Sequence, residues 1–127
     1  MKILLFEKSV HISRQIERNI KSIDMSIEIV KAALIQDAIE HATISDFDIV
    51  IADGDNMNGS YKKLVELVKV QNRNSYLILL FSFIAQRITD YFIRTGTDFC
   101  FDKLQGFDSF MLIIKSIHGE CTFDKAY

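Results

Sequence analysis

The sequence predicts an α/β protein built as a doubly wound parallel sheet of five strands with five helices. Strand-like and helix-like hydrophobic periods alternate along the whole chain, which favours right-handed crossovers and helices on both faces of the sheet. The segment at residues 49–52 is rich in β-branched residues and entirely apolar, as expected for a strand that is covered on both faces. With 127 residues and 49% hydrophobic content, the chain can bury one core.

The elements are predicted from their periodicity and their flanking turn residues. The strands are expected at residues 2–6, 26–30, 48–52, 76–81 and 98–101. The helices, whose apolar residues recur every three or four positions, are expected at residues 10–22, 34–42, 61–71, 85–95 and 107–118. For five such units the commonest strand order is 2-1-3-4-5, the flavodoxin-like arrangement.

Composition and charge exclude several classes of protein. The net charge of -2 and the lack of clustered Lys and Arg argue against a nucleic-acid-binding surface. Cys100 and Cys121 fit no metal or redox spacing, so we expect a cytoplasmic protein in a reducing compartment. The apolar opening at residues 1–6 is too short for a signal-peptide core or a membrane span.

A candidate site is predicted where the strands end. Asp53 follows the buried third strand, and ligands of such sheets bind beyond the carboxyl ends of the strands. In the order 2-1-3-4-5, Glu7 and Lys8 at the end of strand 1 lie on one side of Asp53, and Ser82 and Lys103 lie on the other. Acids, a hydroxyl and a cation would therefore converge. The alternative for Asp53 is a loop acid that caps the next helix, because Asp is also an ordinary turn residue.

Over nearly its whole length the chain resembles the receiver domains of bacterial response regulators. The resemblance is strongest at residues 47–59 and 96–103, where a Gly, a small residue, an Asp and an aromatic-rich strand end in Asp102 and Lys103 without a following Pro. It implies that Asp53 accepts a phosphoryl group from a histidine kinase or a phosphotransfer protein of a two-component phosphorelay. Lys103 would contact the phosphoryl oxygens.

The resemblance also implies an organisation and a mode of action. Residues 1–119 would form the receiver domain and residues 120–127 a short tail, with no output domain. Such a protein is not an enzyme beyond its own phosphorylation and dephosphorylation. It would signal by contact with a downstream protein through the face of helix 4, strand 5 and helix 5, where Arg87, Tyr91, Arg94 and Phe99 are candidates. The same face would serve a homodimer.

The acidic metal site departs from the family pattern. Receiver domains hold Mg²⁺ with two acids after strand 1, whereas this chain has Glu7 followed by Lys8. By resemblance the ligands would be Glu7 and Asp53, with Asp55 as a substitute carboxylate. An ammonium next to the metal would oppose its binding, unless Lys8 points outward. Mg²⁺ binding is therefore predicted to be weak or absent.

The switch residues depart from the pattern as well. Counting back from Gly96 and Lys103 places Phe81 where the family has a Ser or Thr, whereas one deletion in helix 4 would place Ser82 there. Both assignments remain open. Cys100 stands where a rotating aromatic residue is common. Leu104 replaces the usual cis Pro, and its peptide bond is predicted to be trans because a non-Pro cis bond costs about 2.5 to 4 kcal/mol.

Two functions follow from these residues. The leading hypothesis is a phosphorylatable switch in which Asp53 is the nucleophile. The alternative is a pseudo-receiver, an interaction module that works without phosphorylation and in which Lys8 pairs with Asp53. A different flavodoxin-like binding protein or enzyme is disfavoured, because no Gly-rich phosphate loop follows strand 1.

Overall fold

The five strands form one parallel sheet in the order β2-β1-β3-β4-β5, as predicted. The computed structural model describes the backbone of residues 1–71, 74–83 and 85–126, and the side chains of these residues as far as 120. The strands are β1 (Lys2–Phe6), β2 (Glu28–Ala32), β3 (Ile49–Asp53), β4 (Tyr76–Phe81) and β5 (Phe99–Asp102). Two of them, β1 and β4, have the predicted bounds, and the other three begin one or two residues later.

The helices lie between the strands, one after each. They are α1 (Val10–Ile23), α2 (Ile35–Ile44), α3 (Tyr61–Val65, continued by a π-helical turn at Glu66–Val70), α4 (Gln86–Arg94) and α5 (Phe107–Ala126). A short 3-10 turn at Gly54–Asn56 follows β3. The predicted short tail at residues 120–127 is wrong up to residue 126. The fifth helix, α5, does not end at residue 118 but continues through Gly119 to Ala126.

The sheet buries a core on each face. Val50 and Ala52 of β3 belong to the cluster under α2 and α3, whereas Ile49 and Ile51 belong to the cluster under α1 and α5. All five residues of β3 are buried, which agrees with a central strand of a parallel sheet. Within the described ranges, no helix is long and apolar enough to cross a membrane.

The register of the strands brings their carboxyl ends to one edge. Phe6 of β1 pairs with Ala52 of β3, and Asp53 pairs with Leu80 of β4. Phe81 pairs in turn with Asp102 of β5. The residues that follow β1 and β5 therefore meet Asp53 at this edge, as the predicted topology requires.

The packing of α5 gives the first prediction. Phe110 is completely buried under the sheet, whereas Leu112 on the same helix is 65% exposed. Phe110→Ala should lower the free energy of unfolding by about 3–5 kcal/mol, because it leaves a cavity in the core. Leu112→Ala is the matched control and should change it by less than about 0.5 kcal/mol. Denaturant melts measure both, and equal losses would contradict the placement of α5.

Candidate functional site

Asp53 is the last residue of β3, and its carboxylate is fully buried and fully hydrogen-bonded. Oδ1 accepts hydrogen bonds from Lys103 Nζ at 2.9 Å and from the Asp55 backbone N–H at 3.1 Å. Oδ2 accepts them from Asn56 Nδ2 at 2.8 Å and from the Lys8 backbone N–H at 3.2 Å. Its exposed fraction is 0%. Each oxygen therefore has two donors.

The ammonium of Lys103 lies among three carboxylates. Its Nζ is 2.9 Å from Glu7 Oε1, 2.9 Å from Asp53 Oδ1 and 3.4 Å from Asp55 Oδ2. The side chain is only 6% exposed. Burial alone would lower the pKa of Lys103, but its close contacts and charge interactions with Glu7 and Asp53 raise that pKa above its usual value. Lys103 therefore stays charged.

The pKa values of the two buried carboxyl groups are shifted in opposite directions. Burial raises the pKa of Glu7, and this effect outweighs the opposing hydrogen bond from the Ser9 backbone N–H and the close contact with the Lys103 ammonium. For Asp53, burial acts in the same direction, but hydrogen bonds from Lys103, Asn56 and Lys8 hold its pKa below the usual value. Asp53 therefore stays ionised, and Glu7 takes up a proton first as the pH falls.

Glu7 is held by the residues that begin α1. Its side chain is 2% exposed, and Oε2 accepts a hydrogen bond from the Ser9 backbone N–H at 2.9 Å. Ser9 also caps α1, because its hydroxyl accepts a hydrogen bond from the Ile12 N–H. Glu7 Oε1 has the close ion pair with Lys103 but no aligned hydrogen bond from the described residues.

The pair between the Lys8 and Asp53 side chains, which belonged to the pseudo-receiver hypothesis, is wrong. Lys8 is exposed, and among the described residues its ammonium has no carboxylate partner. Only its backbone N–H reaches Asp53. Glu7 is buried and Lys8 is exposed, so Lys8 points outward where Glu7 points inward. The cation in the pocket is Lys103.

Phe81 and Ser82, the two candidates for the switch position, have different contacts in the structure. Phe81 ends β4, and its ring lies against Gly54. Ser82 follows it, and both its hydroxyl and its backbone N–H donate hydrogen bonds to Asp55 Oδ2, at 2.7 and 2.9 Å. The hydroxyl of Ser82 therefore reaches the site through Asp55 rather than through Asp53.

The residues of β5 point as strand alternation predicts. Cys100 packs against the cluster under α2 and α3, whereas Phe99 and Phe101 pack against the opposite cluster. Burial raises the pKa of the Cys100 thiol to about 11, so it is not a reactive thiolate at neutral pH. The Lys103–Leu104 bond is trans, as predicted. Cys121 lies outside the residues whose side chains are described.

The residues of the pocket do not fit Mg²⁺ as they are arranged. Glu7, Asp53 and Asp55 supply oxygen ligands of the kind that Mg²⁺ prefers. However, the ammonium of Lys103 lies within 3.4 Å of all three carboxylates, and both oxygens of Asp53 already accept two hydrogen bonds. Across the described ranges, no three His, Cys, Asp or Glu side chains are arranged to hold a metal ion. The cation that opposes the metal is thus Lys103, not Lys8.

One residue of the site was missed by the sequence analysis. Asn56 donates a hydrogen bond from Nδ2 to Asp53 Oδ2 at 2.8 Å. Its signal was its place in the polar loop three residues after Asp53, since Asn is a common side-chain donor and acceptor in turns.

The fold is that of response regulator receiver domains. The chain is similar to the signal receiver domain of a DNA-binding response regulator from Colwellia psychrerythraea, with a TM-score of 0.80, 16% identity, and coverage of 94% of this chain and 98% of that one. It is also similar to an orphan response regulator of H. pylori, with a TM-score of 0.76, 14% identity, and coverage of 92% and 95%.

A third similar structure is an atypical orphan response regulator described as having a phosphorylation-independent regulatory mechanism. Its TM-score is 0.76 at 14% identity, and the match covers 92% of this chain and 94% of that one. No protein-family model and no curated protein matches the sequence. Identities this low establish the receiver fold and leave the chemistry to the residues of the site.

The buried ion pairs give the second prediction. Lys103→Met should lower the free energy of unfolding at neutral pH by about 3–5 kcal/mol, because it leaves buried carboxylates without their cation. Lys8→Met is the matched control and should cost less than about 0.5 kcal/mol, since that side chain is exposed. Denaturant melts at neutral pH measure both losses, and a small loss for Lys103→Met would contradict the central place of this ammonium.

The third prediction concerns the pH dependence of the Lys103→Met penalty. A carboxyl whose pKa is raised on folding stabilises the native state more as the pH falls through its folded pKa. Burial already raises the pKa of Glu7, and loss of the Lys103 ammonium, which opposes that rise, should raise it further in the variant. The variant should therefore take up a proton on Glu7 at a higher pH than the wild type does, which relieves the repulsion from Asp53. The penalty should therefore be smaller at mildly acidic pH than at neutral pH. The same melts at both pH values test this, and an equal penalty would show that Glu7 does not titrate there.

Proposed function

We propose that this protein signals by contact with another protein and does so without phosphorylation of Asp53. The observation that carries the proposal is the state of the Asp53 carboxylate. A nucleophilic oxygen needs a free lone pair that faces the donor. Asp53 is 0% exposed, and both its oxygens accept two hydrogen bonds.

The neighbouring residues support the same function. Lys8 stands where the family has its second acid, and Phe81 ends β4 where the spacing of the family places a hydroxyl. The only hydroxyl next to Phe81 on the described part of that loop, Ser82, is bonded to Asp55. Similarity to a response regulator with a phosphorylation-independent mechanism supports this type of receiver.

The contact face that we propose is formed by α4, β5 and α5. On α4 no side chain is buried, and Ile88, Tyr91 and Ile93 are 42–46% exposed. Arg87 and Arg94 are also exposed on this helix. A downstream protein with apolar and acidic side chains would complement these residues.

A phosphorylatable switch is the second candidate. It is favoured by the ion pair of Lys103 with Asp53, at 2.9 Å, because this ammonium is placed to neutralise charge on a phosphoryl group carried by Asp53. The donor would be a histidine kinase or a phosphotransfer protein. In this candidate the turn at Gly54–Asn56 must first release the carboxylate.

A small phosphoryl donor separates the two candidates and gives the fourth prediction. The wild type, incubated with acetyl phosphate and millimolar Mg²⁺, should show no adduct by intact mass spectrometry, because no oxygen of Asp53 is free to attack. A competent receiver domain in the same mixture is the positive control. An adduct in the wild type that is absent in Asp53→Asn would establish the phosphorylatable switch instead. An adduct that persists in Asp53→Asn would place the acceptor elsewhere, with Asp55 the nearest candidate.

A further inference from the structure

Gly54 lies directly after Asp53, and the space that a side chain would need there is filled by Phe81. A Cβ on Gly54 would lie 2.4 Å from Phe81 Cε1 and 2.5 Å from Cζ. Such contacts are far shorter than any carbon–carbon packing distance. The φ angle of Gly54 lies outside the left-handed region, so the backbone itself does not require glycine here. The glycine is required by the ring of Phe81.

The ring of Phe81 cannot easily give way, because other aromatic side chains support it. Phe81 is 6% exposed, and its ring centroid lies 5.4 Å from that of Phe92. Phe92 in turn packs edge-on against Tyr61 at 4.7 Å. The hydroxyl of Tyr61 donates a hydrogen bond to the Phe92 carbonyl oxygen. It also lies within hydrogen-bond distance of the hydroxyls of Thr95 and Thr97. These contacts fix the ring between the sheet and α4.

The turn beneath this ring supplies half of the hydrogen bonds to Asp53. Gly54 opens the 3-10 turn Gly54–Asn56. From that turn, the Asp55 backbone N–H donates to Asp53 Oδ1 and Asn56 Nδ2 donates to Asp53 Oδ2. Because the Phe81 ring packs against Gly54, it influences the positions of both donors, the Asp55 backbone N–H and Asn56 Nδ2.

We infer that Phe81 is a positioning residue that holds the Gly54–Asn56 turn over Asp53, and that Gly54 and Phe81 are complementary halves of one contact. The inference deepens the proposed function, because it names the side chain that keeps the Asp53 carboxylate enclosed. Its tests read the position of the turn and not phosphoryl transfer. These tests can therefore fail while the proposed function holds. They can also succeed while the proposed function fails.

A double-mutant cycle tests the complementarity. Gly54→Ala alone should lower the melting temperature, because its methyl group collides with the ring of Phe81. In the Phe81→Ala background, adding Gly54→Ala should leave the melting temperature unchanged or raise it, since the collision is gone and alanine restricts the unfolded chain. An equal loss from Gly54→Ala in both backgrounds would overturn the inference.

Amide hydrogen exchange tests the effect on the turn. Phe81→Ala should accelerate exchange of the Asp55 amide several-fold more than exchange of amides in β1, because the turn is no longer held down. Phe110→Ala is the control, since it removes another buried ring from the opposite face of the sheet. If Phe81→Ala does not fold, Phe81→Leu takes its place. Unchanged exchange at Asp55, or an equal acceleration in Phe110→Ala, would show that Phe81 is an ordinary core residue.

Discussion

The ammonium of Lys103 is nearly buried, and it can be charged there because carboxylates of Glu7, Asp53 and Asp55 lie within 3.4 Å. Removing Lys103 would leave buried carboxylates without their cation, which costs far more than breaking a solvent-exposed ion pair. The contact also joins distant parts of the chain. It connects the ends of β1, β3 and β5 at one edge of the sheet, and so the geometry of that edge depends on it.

This arrangement is the basis of our proposal that the pocket takes up neither a metal ion nor a phosphoryl group. The carboxylates that a metal would need are directed at an ammonium, and the oxygens of Asp53 are shared among four donors. In this account the Lys103 ammonium takes the place of a bound cation among these carboxylates. The proposed function assigns partner binding to the surface of the fold, including the exposed side chains of α4.

The fold could be predicted because the physical signals were strong and local. Strand-like and helix-like hydrophobic patterns alternate along the chain, and this alternation determines the topology. The topology alone brings Glu7, Asp53 and Lys103 to one edge of the sheet. The choice between Lys8 and Lys103 required the direction of each side chain, which the spacing of residues along the chain does not state. Likewise, α5 continues through Gly119, a residue type that often ends helices, and so its end was predicted too early.

The exchange of one cation for another tests the central claim most directly. Mg²⁺ in the millimolar range should leave the melting temperature of the wild type unchanged, because Lys103 already occupies the centre of the carboxylates. In Lys103→Met the same carboxylates lose their cation, and Mg²⁺ should raise the melting temperature as a ligand of the folded state does. Stabilisation of the wild type by Mg²⁺, or no response in the folded Lys103→Met variant, would contradict the account.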